Sequence, residues 1–102
     1  MKPLPKRLVA RSVEYYSEYD EDQFFGWLER IPCVAGCRGE KIDLFIDLHD
    51  GEVDDESLRE LLALFNCYNV DMSQLAILES SSNRQWFREP QAYWYAKVFE
   101  DK

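Results

Sequence analysis

The sequence predicts an α+β fold: a small antiparallel sheet of about three strands, helices packed on its apolar face, and a helical aromatic C-terminal tail. Residues 42–48 alternate apolar and polar with the period of a strand. Two other stretches repeat apolar residues with the period of a helix. The signals run strand, helix, strand, strand, helix, for which a split βαβ unit is the nearest named arrangement. The 102 residues carry no repeat or linker, so 1–102 reads as one domain able to bury about 65% of its unfolded surface.

Met1 to Arg7 reads as a loose basic arm, because Pro3 and Pro5 resist regular structure. Leu8 to Ser17 is rich enough in β-branched and aromatic residues (Val9, Val13, Tyr15, Tyr16) to predict the first strand. Asp20 is an expected N-cap, with Glu21 and Asp22 in a first turn that favours negative charge. The helix that follows presents Phe24, Phe25, Leu28 and Ile31 on one face and stops at Pro32. Gly26 inside it costs about 1 kcal/mol against Ala, which implies close packing there.

Cys33 to Arg38 reads as a short strand, Gly39-Glu40 as a turn and Lys41 to His49 as the central strand. In that strand Ile42, Leu44, Ile46 and Leu48 face the core, and Asp43, Phe45, Asp47 and His49 face away. Asp50-Gly51 turns the chain, and Asp54 or Asp55 caps a second helix with Leu58, Leu61, Leu62 and Phe65 on one face and Leu64 at its flank. Tyr68-Asn69 ends it, Asn tolerating the left-handed conformation. Asp71 then caps a short third helix over Met72 to Leu78, with Val70 as a hydrophobic staple. Ser80 to Asn83 is a loop. The tail from Arg84 holds Trp86, Phe87, Tyr93, Trp94, Tyr95 and Phe99 and fits a helix through the pairs Trp94/Val98 and Tyr95/Phe99, with Pro90 in its first turn. Its aromatic composition fits a strand as well.

Lys and Arg number 12 against 20 for Asp and Glu, a net charge of −8. Direct binding to nucleic acid needs a basic footprint and is excluded on that ground, whereas a basic protein is a natural partner. No apolar run approaches the length of a membrane helix, and the stretch after Arg7 is too short for a signal peptide, so a cytoplasmic location is expected. The three cysteines, Cys33, Cys37 and Cys67, are an odd number and read as mainly buried free thiols.

No catalytic residue, cofactor or metal ligand set emerges. Asp43 and Asp47 on one strand face stand about 13 Å apart, too far for a glycosidase acid pair. The three cysteines with His49 have the donor types of a zinc site, but Cys33 and Cys37 lack the usual knuckle spacing. The glycines stand alone, so no phosphate loop or dinucleotide fingerprint is present.

Charge distribution says more. Ser12 to Glu29 contains six acids and Ile42 to Glu56 seven, and neither stretch contains Lys or Arg. Merged across adjacent strands, these acids predict one negative docking face built from Glu18, Asp20, Glu21, Asp22, Asp43, Asp47, Asp50, Glu52, Asp54 and Asp55, with Trp27 and Phe45 as aromatic anchors.

Three stretches carry a resemblance: Asp20 to Val34 (DEDQFFGWLERIPCV), Asp54 to Leu62 (DDESLRELL) and Trp86 to Phe99 (WFREPQAYWYAKVF). They resemble the immunity proteins of contact-dependent growth inhibition, a class of polymorphic toxin systems. The resemblance implies a non-enzymatic cytoplasmic protein that binds a cognate toxin domain one-to-one and blocks its active site. It also implies a basic nuclease as that toxin, an RNase before a DNase. The other expectations are a small acidic interaction module that self-associates through its aromatic tail, and an enzyme or metal protein that depends on His49.

Overall fold

The fold is seen in a computed structural model that describes residues 6–11, 13–40, 42–50 and 53–100. β1 (Arg7–Arg11) and β2 (Val34–Glu40) each pair antiparallel with β3 (Asp43–Leu48), in the sheet order β1-β3-β2. The two edge strands are therefore parallel to each other, and α1 (Glu18–Arg30) makes the crossover between them. This is the split βαβ arrangement the element order predicts. α2 (Asp55–Cys67) follows β3, and a 3₁₀ helix (Ser73–Leu78), the short α3 (Arg84–Phe87) and a π turn (Ala96–Glu100) complete the chain.

Strand alternation places Leu44, Ile46 and Leu48 on the buried face of β3, beside Leu8 and Ala10 of β1. Phe24, Leu28 and Ile31 close on that face from the first helix, and Leu58, Leu61, Leu62, Leu64 and Phe65 from the second. Each such side chain contributes about 1.5–3 kcal/mol on full burial. Leu64, expected at the flank, is fully buried and joins the same core cluster as Leu75, Leu78, Phe87 and Val98 of the C-terminal segment. Arg59 of α2 lies over the Trp86 ring at 3.9 Å, and Trp94 Nε1 donates to the Phe87 carbonyl at 2.8 Å. The aromatic tail is thus neither one helix nor a strand, and Pro90 stands outside any helix.

Several boundaries move for identifiable reasons. β1 starts at Arg7, inside the expected arm, and ends at Arg11 because β3 offers no partner beyond Asp43; residues 1–5 lie outside the described set. After β1, Tyr15 instead packs on Phe24 and Phe25, with ring centroids 5.6 and 6.1 Å away. Ser17 caps α1 in place of Asp20, its Oγ accepting the Asp20 N–H at 3.1 Å, so the helix begins three residues earlier than Glu21, at Glu18. The Asp20 carboxylate accepts the Tyr16 N–H at 3.1 Å and the Tyr68 hydroxyl at 2.9 Å.

β2 runs through Gly39 and Glu40, which pair with Leu44 and Asp43, so the hairpin turn falls later than expected, at Ile42. Lys41 lies outside the described residues, and Ile42 is 73% exposed rather than part of the core face. Asp54 caps α2 as expected, accepting the Ser57 N–H, and Asn69 after its end takes the left-handed φ of 58°. Asp71 accepts the Ser73 N–H at 3.0 Å, but the segment it starts is 3₁₀, not α. Cys33 is buried, whereas Cys37 and Cys67 are exposed, contrary to the expectation of mainly buried thiols.

Candidate functional site

α1 and α2 lie side by side and antiparallel, tied at both ends and in the middle. Tyr68 at the end of α2 reaches Asp20 near the start of α1, Trp27 Nε1 donates to Glu60 Oε1 at 2.8 Å, and the Cys33 N–H after α1 donates to Ser57 Oγ at 3.1 Å. A groove follows this seam. One end is a hollow of about 470 Å³ lined by Glu14, Tyr16, Asp20, Gln23, Cys67, Tyr68 and Asn69. The other is a cleft of about 610 Å³ lined by Gln23, Gly26, Trp27, Arg30, Ile31, Pro32, Glu56 and Glu60. Gln23 lines both, so the two hollows follow one another along α1, whose 13 residues span about 20 Å at 1.5 Å per residue.

Four carboxylates (Glu14, Asp20, Glu56, Glu60) and one guanidinium (Arg30) line it. Among the described residues none of these five is in an ion pair. Burial and nearby carboxylates together raise the neighbouring phenols. Burial first and then the hydrogen bond to Asp20 push Tyr68 up to about 12. The hydrogen bond to Glu14 raises Tyr16, and burial with the charge of Glu60 raises Tyr93. Tyr16 and Tyr19 are the most exposed large aromatics described, at 86% and 84%, and stand beside Glu14, Glu18, Glu21 and Asp22.

The structure disperses the remaining acids that the sequence placed on one face. Asp43 and Asp47 project from the outer face of the sheet, where the β1–β3 register sets Arg11 and Arg7 opposite them. Arg7 Nε meets Asp47 Oδ1 at 2.6 Å and Arg11 Nη1 meets Asp43 Oδ2 at 3.9 Å, so these carboxylates are balanced within the chain. Phe45 between them is half-buried, with the Arg7 and Arg38 guanidiniums 5.7 and 5.9 Å from its ring centre. Glu18, Asp20, Glu21 and Asp22 gather at the start of α1, whereas Asp54 and Asp55 stand at the start of α2, at the opposite end of the antiparallel pair. Asp50 is exposed after β3, and Gly51 and Glu52 lie outside the described residues. Hence no single face holds all the expected residues that are described; among these, Asp20 and Trp27 are the two that line the groove.

Gln23, Gly26, Glu56 and Glu60 were missed by the sequence reading. Their signal was present: Glu56 and Glu60 are spaced i, i+4, which sets two like charges on the exposed side of α2 opposite its leucines. Gly26 is not closely packed, since a Cβ there would meet nothing within 4 Å. No activated nucleophile is evident among the described residues: burial raises the Cys33 and Cys37 thiols, and His49 is exposed at the end of β3. Nor, among them, does any group of three or more His, Cys, Asp or Glu converge to hold a metal ion, and no helix is long and apolar enough to cross a membrane. No protein-family model, no curated protein and no solved structure matches the chain.

Proposed function

We propose that the protein is an immunity-type inhibitor: it binds a basic toxin domain one-to-one in the cytoplasm and covers the toxin's active site, without catalysis, cofactor or metal of its own. The observation that carries this reading is the α1–α2 groove, two successive hollows lined by four carboxylates against one guanidinium. A nuclease holds its substrate with Lys and Arg, so a carboxylate-lined groove competes for the same groups and excludes RNA or DNA. The exposed Tyr16 and Tyr19 at the acidic start of α1 supply the rigid amphipathic contact area that protein interfaces favour. Self-association through the aromatic tail has less support, because Phe87 and Val98 are buried in the chain's own core and Trp94 is bonded within it.

The test is inhibition of the toxin domain encoded by the adjacent reading frame. One equivalent of this protein should abolish its activity, and affinity should fall as salt shortens the screening length from about 10 Å at 0.1 M to about 3 Å at 1 M. Absence of binding, or affinity indifferent to salt, counts against the reading.

A further inference from the structure

Within the groove, the cleft over Gly26 has the features of a receptor for a single side chain. Three observations converge on it. Trp27 is a half-buried indole fixed in orientation by its hydrogen bond to Glu60, so the ring is held in place before anything binds. Gly26 beside it carries no side chain, and a Cβ there would meet no atom within 4 Å outside its chain neighbours and its own helix, so the space next to the indole is open. Glu56 and Glu60, like charges one turn apart on α2, both line the cleft, and among the described residues neither is in an ion pair.

We propose that this cleft is the anchor site for one arginine or lysine side chain of a basic protein partner, its apolar stem lying along Trp27 over the Gly26 notch and its charged head between Glu56 and Glu60. The proposal rests on the partner reading above and names the group recognised. An aromatic ring and carboxylates together suit this occupant: the ring attracts the cation through its quadrupole, and the carboxylates accept its N–H donors. A guanidinium gains most, since it stacks on the indole while presenting a planar fork of donors. Relief of the Glu56–Glu60 repulsion adds to the attraction. Arg30 lines the same cleft and is the cation an incoming side chain must displace or repel.

The sign of the Arg30 effect therefore reports whether a bound cation sits in this cleft. A hexa-arginine peptide is titrated into the isotope-labelled protein at low salt, and the indole N–H resonances of Trp27, Trp86 and Trp94 are followed. The Trp27 resonance should move most. Gly26→Leu fills the notch without changing charge and has open space to enter, so it should keep thermal stability at or above wild type while weakening the peptide at least about tenfold. Arg30→Ala should tighten binding several-fold. Wild-type affinity in Gly26→Leu overturns the anchor site, and unchanged or weaker binding in Arg30→Ala overturns the placing of a cationic head in the cleft that Arg30 lines. Glu14→Lys, at the far end of the groove, separates the two levels of the account. If it weakens the peptide while Gly26→Leu does not, the acidic groove stands and the anchor falls; if the peptide fails to bind at all, both fall.

Discussion

Gly26→Ala is expected to stabilise the protein. Glycine in a helix interior costs about 0.5–1 kcal/mol relative to alanine, chiefly through the larger conformational entropy of the unfolded chain. A steric penalty offsets that gain only where a methyl group meets neighbours. At Gly26, in the middle of α1, the added Cβ would meet nothing within 4 Å. The full gain of about 0.5–1 kcal/mol is therefore available, which for a domain of this size raises Tm by roughly 2–8 °C. Urea unfolding followed by circular dichroism measures it directly: the midpoint should rise with the slope unchanged, as stability shifts without a change in exposed surface. A destabilised variant would refute the reasoning, because it would mean that atoms press on the Cβ position and that the notch beside Trp27 does not exist.

Other substitutions probe the ties between the helices and the C-terminal cover. Ser57→Ala removes the acceptor for the buried Cys33 N–H and should cost about 1–3 kcal/mol in the same unfolding assay; a loss under about 0.5 kcal/mol would contradict that role. Tyr68→Phe deletes the hydroxyl that joins α2 to Asp20 and should cost about 1 kcal/mol at neutral pH. The folded-state pKa of Tyr68, about 12 against 10.0 for the free phenol, means that this contribution is complete below pH 10 and fades as pH rises towards 12. Glu79 behaves with the opposite sign: the hydrogen bond from Arg88, joined by that from Arg84, holds its carboxyl down to about 2 from 4.5, so its stabilisation is present above pH 4.5 and is lost as pH falls towards 2. Acid titration of Trp fluorescence should show that loss in wild type and not in Glu79→Gln.

The fold was legible because its signals are local. Alternation in β3 and the leucine face of α2 each depend on one periodicity and one buried face. Asp54 and Asn69 act through bonds and dihedrals within a few residues of themselves. Misplacements occur where a distant partner decides. Ser17 outcompetes Asp20 as the cap because Tyr68, 48 residues away, engages the Asp20 carboxylate. Gly39 and Glu40 remain in β2 because β3 extends far enough to pair with them. The C-terminal aromatics follow no single period, since they pack on one another and on the core from separate short segments, with Trp86 against Arg59 of α2 and against Trp94.

The site was half legible for a related reason. Sequence counts the charges but not their neighbours, and the strand register that sets Arg7 against Asp47 and Arg11 against Asp43 converts two expected docking acids into internally balanced pairs worth little on their own. Conversely, Glu56 and Glu60 gain their place only when α2 lies antiparallel to α1 and faces Trp27.

The decisive comparison is calorimetric titration of the toxin domain that the proposed function calls for with two charge reversals of equal size. One is Glu14→Lys with Glu56→Lys in the groove, and the other is Asp43→Lys with Asp47→Lys on the sheet. The groove variant should lose binding by well over about tenfold, as charge reversal across a complementary interface does, while the sheet variant stays within a few-fold of wild type. The reverse ranking would contradict the account and place the partner on the sheet face.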